Sequence, residues 1–394
     1  MFDLDTGTII IWVVMMMFIS VIYMMLMPQM MGLQSRFMIR QIRKAVGELE
    51  GWAKNSREIA LRKITKYGRP RRDVAKELDN SLEFFAIAPV SDDPAGVLHR
   101  LEHVLDVRKK RFEDIVKRLA PKSDSETAAN LEMTLEGAMA SHLIYKIVRH
   151  LMLFAEKTRS TQLVMLIQMQ LPILKEYAKA YLNATQAFAR GKSIGDGAGA
   201  LVAAKLAGDG KWHESTNDTV YTETELDGRK VFVVKAKGPG GRVGKPGELI
   251  KKLIKRRKVS RIIMIDAALK LEGEQSGEIV EGVGAAIGGP PTEKYKIEQI
   301  TTKKGIPVDA LIIKEAFKEA ITPLNSRIAK AVDATVEKAK ESIRKHTKKG
   351  DTVIIGGIGN TIGIGQISDQ IPKKFPRPSR EEGLESDKFL FGPG

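Results

Sequence analysis

Cysteine is absent from the 394 residues, which removes disulfides, thiolate metal centres and a cysteine nucleophile from consideration. Aromatic residues are sparse, at 6%, and no segment carries an RNA-binding signature or a platform on which bases would stack. Contact with RNA therefore has only net charge behind it. Histidine is also scarce, with six residues in the whole chain. What is present in excess is basic charge: 64 Lys and Arg against 48 Asp and Glu give +16. Such a balance points to an anionic neighbour, whether lipid headgroups, nucleic acid or an acidic partner, or else to a solvated Lys-rich surface, since the basic residues are spread over many helices. An apolar fraction of 43% beside 28% charged residues is that of a folded chain with room for two or three domains.

Residues 8–27, TIIIWVVMMMFISVIYMMLM, hold no charge. At helical rise, twenty residues reach about 30 Å, the thickness of a bilayer core. The run reads as a transmembrane helix. Arg36, Arg40, Arg43 and Lys44 follow it, so the expected placement is a single pass through the cell membrane, N-terminus outside and the later domains cytoplasmic. Its methionines read as apolar packing, not a copper path.

The expected organisation is an anchor at 1–34, a helical cytoplasmic domain at 35–190, a glycine-rich α/β domain at 191–371 and a flexible tail at 372–394. In the helical part, apolar residues recur every three and four positions, and long helices are predicted over 125–156 and 160–189, with Pro172 a point of kinking. From Gly191 short β-branched runs take over. Residues 218–225 and 229–236 flank Asp227-Gly228, a hairpin signal. Further strands are expected at 260–266, 308–313 and 352–356 and a helix at 324–347, an alternation that argues a mostly parallel sheet. Asp266 ends the run RIIMID and should lie at the carboxyl edge of a central strand, where open α/β sheets place ligands.

Three glycine-rich segments belong to this domain: Gly195-Asp196-Gly197-Ala198-Gly199, Gly238-Pro239-Gly240-Gly241 and Gly357-Ile358-Gly359-Asn360. Glycines between a strand and a helix let backbone N–H groups approach an anion. The stretch Gly240 to Pro246 misses the P-loop pattern, because Pro246 stands where the hydroxyl after the lysine belongs. Glu272, Glu274, Glu278 and Glu281 are candidates for a third ligand or a base, weighed against ordinary solvated glutamates. His99 and His103 share a helix face, but Glu102 stands one residue before the second histidine and not one after the first, so the zinc-peptidase order is not met.

Taken together, VIIGGIGN at 353–360, SIGDGAGALVAAKL at 193–206, VVKAKGPGG at 233–241 and RIIMIDA at 261–267 resemble the hydrogenase maturation endopeptidases and the related spore germination proteases. The Gly-x-Gly-Asn piece comes last in place of first, so the resemblance implies a circular permutation of that phosphorylase/hydrolase-like fold. It also implies a site built on Asp196 and Asp266, holding a divalent metal. The family's histidine has no counterpart, which tilts the choice from zinc or nickel toward magnesium or manganese. As a whole chain, the order anchor, helices, glycine-rich domain, with SIGDGAGALVA and GGIGNTIGIGQ, resembles an archaeal family of membrane-anchored proteins described as a domain of unknown function.

Two functions follow as expectations. One is a membrane-anchored, metal-dependent hydrolase of peptidase type, with Asp196 and Asp266 on the cation and the loops at Gly195, Gly197, Gly199, Gly238, Gly240, Gly241, Gly357, Gly359 and Asn360 binding the ligand. The other is a non-enzymatic membrane-surface scaffold, or a receptor for a ligand or phosphate, contacting anionic lipid or RNA. Either is compatible with an oligomer.

Overall fold

The structure is a computed structural model. It describes the chain except for residues 1–5, 69–73, 88–95, 217, 290 and 379–394, and it leaves out the side chains of 6–14, 19, 21–34 and 216. Residues 372–378 of the expected tail run as coil, and the rest of that tail lies outside the described residues.

Two compact units emerge. The first comprises residues 1–54 and 140–179, and the second residues 55–139 and 180–394. Three helices contribute to both: α1 (Thr6–Gly68), α4 (Ser125–Thr158) and α5 (Thr161–Ala189). The first unit is held by Ile42, Val46 and Leu49 of α1 packed with Val148, Met152, Ile167 and Leu171. Pro172 lies inside α5, which continues to Ala189.

The membrane span expected over 8–27, and with it the single-pass placement, is overturned. Among the described residues no helix is long and apolar enough to cross a membrane. The apolar run is the front of a 63-residue helix whose later turns carry Arg36, Arg40 and Lys44 on one side and the core residues Ile42, Val46 and Leu49 on the other. Most side chains of the run itself lie outside the described residues.

In the second unit, α2 (Ala75–Leu82), α3 (Val97–Leu119) and the first turns of α4 share a core of Leu78, Phe112, Val116, Leu119, Leu131 and Leu135. Asp124 caps α4, its carboxylate accepting the Thr127 N–H at 2.7 Å.

The rest of the unit is a seven-stranded sheet in the order β1-β2-β3-β7-β4-β6-β5, formed by β1 (His213–Thr216), β2 (Thr219–Leu226), β3 (Arg229–Ala236), β4 (Arg261–Leu269), β5 (Ile279–Val283), β6 (Val308–Glu315) and β7 (Thr352–Gly357). Only the three central ladders, β3/β7, β7/β4 and β4/β6, are parallel; β1/β2, β2/β3 and β6/β5 are antiparallel. The sheet is thus mixed, not mostly parallel, and the chain as a whole is more helix than strand. β4 and β7 read as continuous apolar runs because both of their faces are covered. On one face lie α6 (Ala198–Ala207) and α10 (Ser326–His346), packing on Val233, Ile263, Ile265 and Ile355. On the other lie α7 (Pro246–Arg256) and α8 (Pro291–Lys304), packing on Phe232, Ile262, Met264 and Ile354.

Local signals explain the boundaries. Asp227 and Gly228, at φ 51° and 78°, make the tight turn between β2 and β3. Pro246 opens α7, with Glu248 in its first turn and Lys255 and Arg256 in its last, as the helix dipole favours. Asn325 caps α10 by accepting the Arg327 and Ile328 N–H groups.

Candidate functional site

The ladder between β4 and β7 ends at Ile265 and Gly357, one residue before Asp266, while β4 itself runs on beside β6 to Leu269. Asp266 therefore lies where the central strand β7 has stopped and its carboxyl end opens. β7 leads there into Ile358, whose N–H donates to the Ile265 carbonyl at 2.8 Å. The turn Gly195–Gly197 in front of α6 reaches the same edge, bringing Asp196 to it. Three of the four segments of the motif pattern, the ends of β4 and β7 and the start of α6, converge on one place.

The approach is close because the glycines allow it. A Cβ on Gly199 would stand 2.4 Å from both the Ile265 and the Ile358 carbonyl oxygens, and one on Gly359 would stand 1.9 Å from the Asp196 carbonyl. A Cβ on Gly357 would stand 2.4 Å from both the Ala203 side chain and the Gly199 carbonyl oxygen. Gly199→Ala is accordingly expected to cost about 3 kcal/mol or more, since backbone, not a movable side chain, fills the space. A denaturant midpoint equal to the parent's would show that α6 can shift away.

Asp266 is 5% exposed. Its Oδ1 accepts the Ala267 N–H at 2.8 Å and its Oδ2 the Gly288 N–H at 2.7 Å. Burial, with a contribution from the charge of Asp196, pushes its carboxyl up to about 7 against the opposing pull of those N–H groups. Asp196 accepts the Asn360 N–H at 2.9 Å, and burial raises its pKa too. Yet Asp196 keeps some accessible surface although protein surrounds it closely. It is thus the member of the pair that water or a ligand reaches first.

Two carboxyls that the sequence did not single out stand behind the pair. Glu315, the last residue of β6, is 1% exposed and its Oε2 has no hydrogen-bond partner. Burial raises its pKa well above the usual carboxylate range, reinforced by Asp196, Glu319 and Asp266. Gly195 leaves it room, for a Cβ there would fall 2.2 Å from that Oε2. Glu319, in α9 (Phe317–Ile321), is fully served: it accepts from Ser276 Oγ, the Ala316 N–H and Asn325 Nδ2.

The other candidates fall outside this group. Gly238 is pinned under the Ile364 carbonyl, the Gly241 N–H donates to Asn130 Oδ1 at 3.1 Å, and Gly240 accepts from Thr361 Oγ1 at 2.9 Å. That loop is held by α4 and Thr361. The Asn360 side chain is likewise engaged, Oδ1 by the Ile362 N–H and Nδ2 by Met133 Sδ, so it contributes its backbone N–H and not its amide. Glu274 and Glu278 pair with Lys314, Glu281 with Lys338, and Glu272 is exposed. His99 and His103 are exposed on α3, and Glu102 binds Lys296 at 2.5 Å.

The metal centre expected at Asp196 and Asp266 is corrected as well. Among the described residues, no group of three or more His, Cys, Asp or Glu side chains is arranged to hold a metal ion. The oxygens of Asp266 face backbone N–H groups, and one oxygen of Asp196 does the same, so the carboxyls are oriented by donors.

Fold and site together define an α/β domain with a mixed sheet and a buried carboxyl group at its carboxyl edge, on a helical N-terminal region. Family models for a protein of unknown function, DUF1512, match here: the N-terminal domain at residues 13–191 and the C-terminal domain at 194–365. The chain belongs to that family. No curated protein and no solved structure matches it.

Proposed function

We propose that the α/β domain is a hydrolase, acting on peptide or ester bonds by general acid–base catalysis through Asp196 and Asp266. The observation that carries this reading is the pairing itself. Two carboxyls seventy positions apart in sequence are brought to the open edge of the sheet, each oriented by backbone N–H groups and each with a raised pKa. Burial, with the charge of Asp196 adding to it, keeps the Asp266 carboxyl protonated up to about neutral pH. One carboxylate then takes the proton of an attacking water while the other, still protonated, delivers its proton to the leaving group. Asp196, which solvent reaches, suits the water. Asp266, fixed at both oxygens, suits the leaving group.

The test is a panel of fluorogenic peptides and chromogenic esters, assayed on the full chain with EDTA present. Turnover should appear in the parent and fall on the order of 100-fold or more in Asp196→Asn and Asp266→Asn. No turnover above the double variant on any member would sink the proposal. Where turnover is found, kcat/KM should decline as pH rises through about 7, because Asp266 then loses the proton it donates. A profile flat to pH 9 would remove Asp266 from the acid role.

A further inference from the structure

Lys235 stands near the end of β3 on the face covered by α6, between Val220 of β2 and Gly357 of β7 in the sheet register. The inward alternation Val231, Val233, Lys235 puts it where an apolar residue would be expected. It is 0% exposed, and no ion pair is made to it among the described residues. Its Nζ donates to the Ala236 carbonyl at 3.1 Å and lies 5.2 Å from the Trp212 ring centroid. The Trp212 indole in turn donates to the carbonyl of half-buried Gln366 at 2.7 Å and its ring packs at the margin of the core, so one half-buried aromatic covers the amine.

Burying an ammonium with no carboxylate beside it is costly, and lysines are rarely found so unless the amine has a use. A desolvated lysine is the usual form of a carbonyl-trapping nucleophile. We propose that Lys235 is a covalent site for a small uncharged aldehyde or ketone, which it binds as an imine beneath Trp212. The Nζ lone pair adds to the carbonyl carbon, one amine proton passes to the oxygen, and the carbinolamine loses water with the second proton. No redox partner is required. The ligand is uncharged because neither a cation nor an anion accompanies Nζ there. Burial alone depresses the amine to about 7, so that near neutral pH about half of it is free, against well under a thousandth of an ordinary lysine.

The experiment exposes the full chain to acetaldehyde at pH 7, quenches with borohydride and maps ethylated lysines by mass spectrometry. Lys235 should carry the dominant adduct, its share should fall as pH is raised toward 10 and the exposed lysines lose their protons, and Lys235→Arg should remove it. Trp212→Ala should speed the labelling. The proposal is overturned if Lys235 stays unmodified while exposed lysines react, if its share does not change with pH, or if it reacts only in Trp212→Ala, which would mean that the native fold never admits the carbonyl.

Discussion

Asp266→Asn is expected to make the protein more stable at neutral pH while removing most of the proposed hydrolysis. The carboxyl titrates at about 7 when folded and near its ordinary value, about 4, when unfolded. A raised acid holds its proton longer in the folded state, so its stabilising contribution is complete below about pH 4 and is lost as pH rises through about 7. The full swing is on the order of 4 kcal/mol. The amide is neutral at every pH and still accepts one of the two N–H groups that Asp266 now receives, losing part of that orientation. The balance is a net gain of roughly 2 kcal/mol at pH 8 that crosses zero between about pH 5 and 6 and turns into a loss of roughly the same size toward pH 4. Denaturant midpoints of parent and variant at pH 4, 6 and 8 measure it. A gap that fails to widen with pH would mean that Asp266 does not titrate in this range. Glu315→Gln should move stability the same way, because the unpartnered acid behind the pair is raised by burial and by the charges of Asp196, Glu319 and Asp266. Stability gained where activity is lost is the mark of a site held in an unfavourable electrostatic state for a purpose.

That site was half legible in the sequence. Asp266 could be found because a charged residue closing an isoleucine run is rare unless the strand ends at a ligand-facing edge. Glu315 closes VDALIIKE less plainly, because Lys314 stands between it and the last isoleucine and makes the strand end look like ordinary charged surface. Glycine counts misled more. Sequence shows that Gly199, Gly238 and Gly357 allow close approach, but not what approaches, and here carbonyl oxygens of neighbouring segments do. The central strands and the hairpin at Asp227-Gly228 were readable from β-branched runs with punctuation between them. β1, with the polar sequence HEST, and β5, exposed at the sheet edge, carry no such run, and the antiparallel return of β5 along β6 made the sheet mixed. The apolar front of α1 reads as a span by its twenty uncharged residues alone, a measure blind to the 63-residue helix in which the run is set.

Lys235→Met is the second large effect, and its sign runs the other way along the pH axis. The lysine is depressed to about 7 in the folded state and titrates near 10.4 when unfolded, so the unfolded chain binds the extra proton everywhere between. The group therefore costs nothing above about pH 10.4 and costs progressively more as pH falls, until the penalty levels off below about pH 7 at on the order of 4 kcal/mol. Methionine has the length of the lysine stem and no charge to desolvate, and it can pack under Trp212 by sulfur–aromatic contact. The variant should unfold several degrees above the parent at pH 7, with the advantage shrinking toward pH 10, as parallel melts at pH 6, 8 and 10 would record. A destabilised variant would mean that the hydrogen bond from Nζ to the Ala236 carbonyl outweighs the desolvation. The two substitutions therefore separate by pH: Asp266→Asn gains as pH rises and Lys235→Met as it falls. Lys235 titrates without a charged neighbour and is not coupled to the acid pair, so the double variant should show the sum of the two effects.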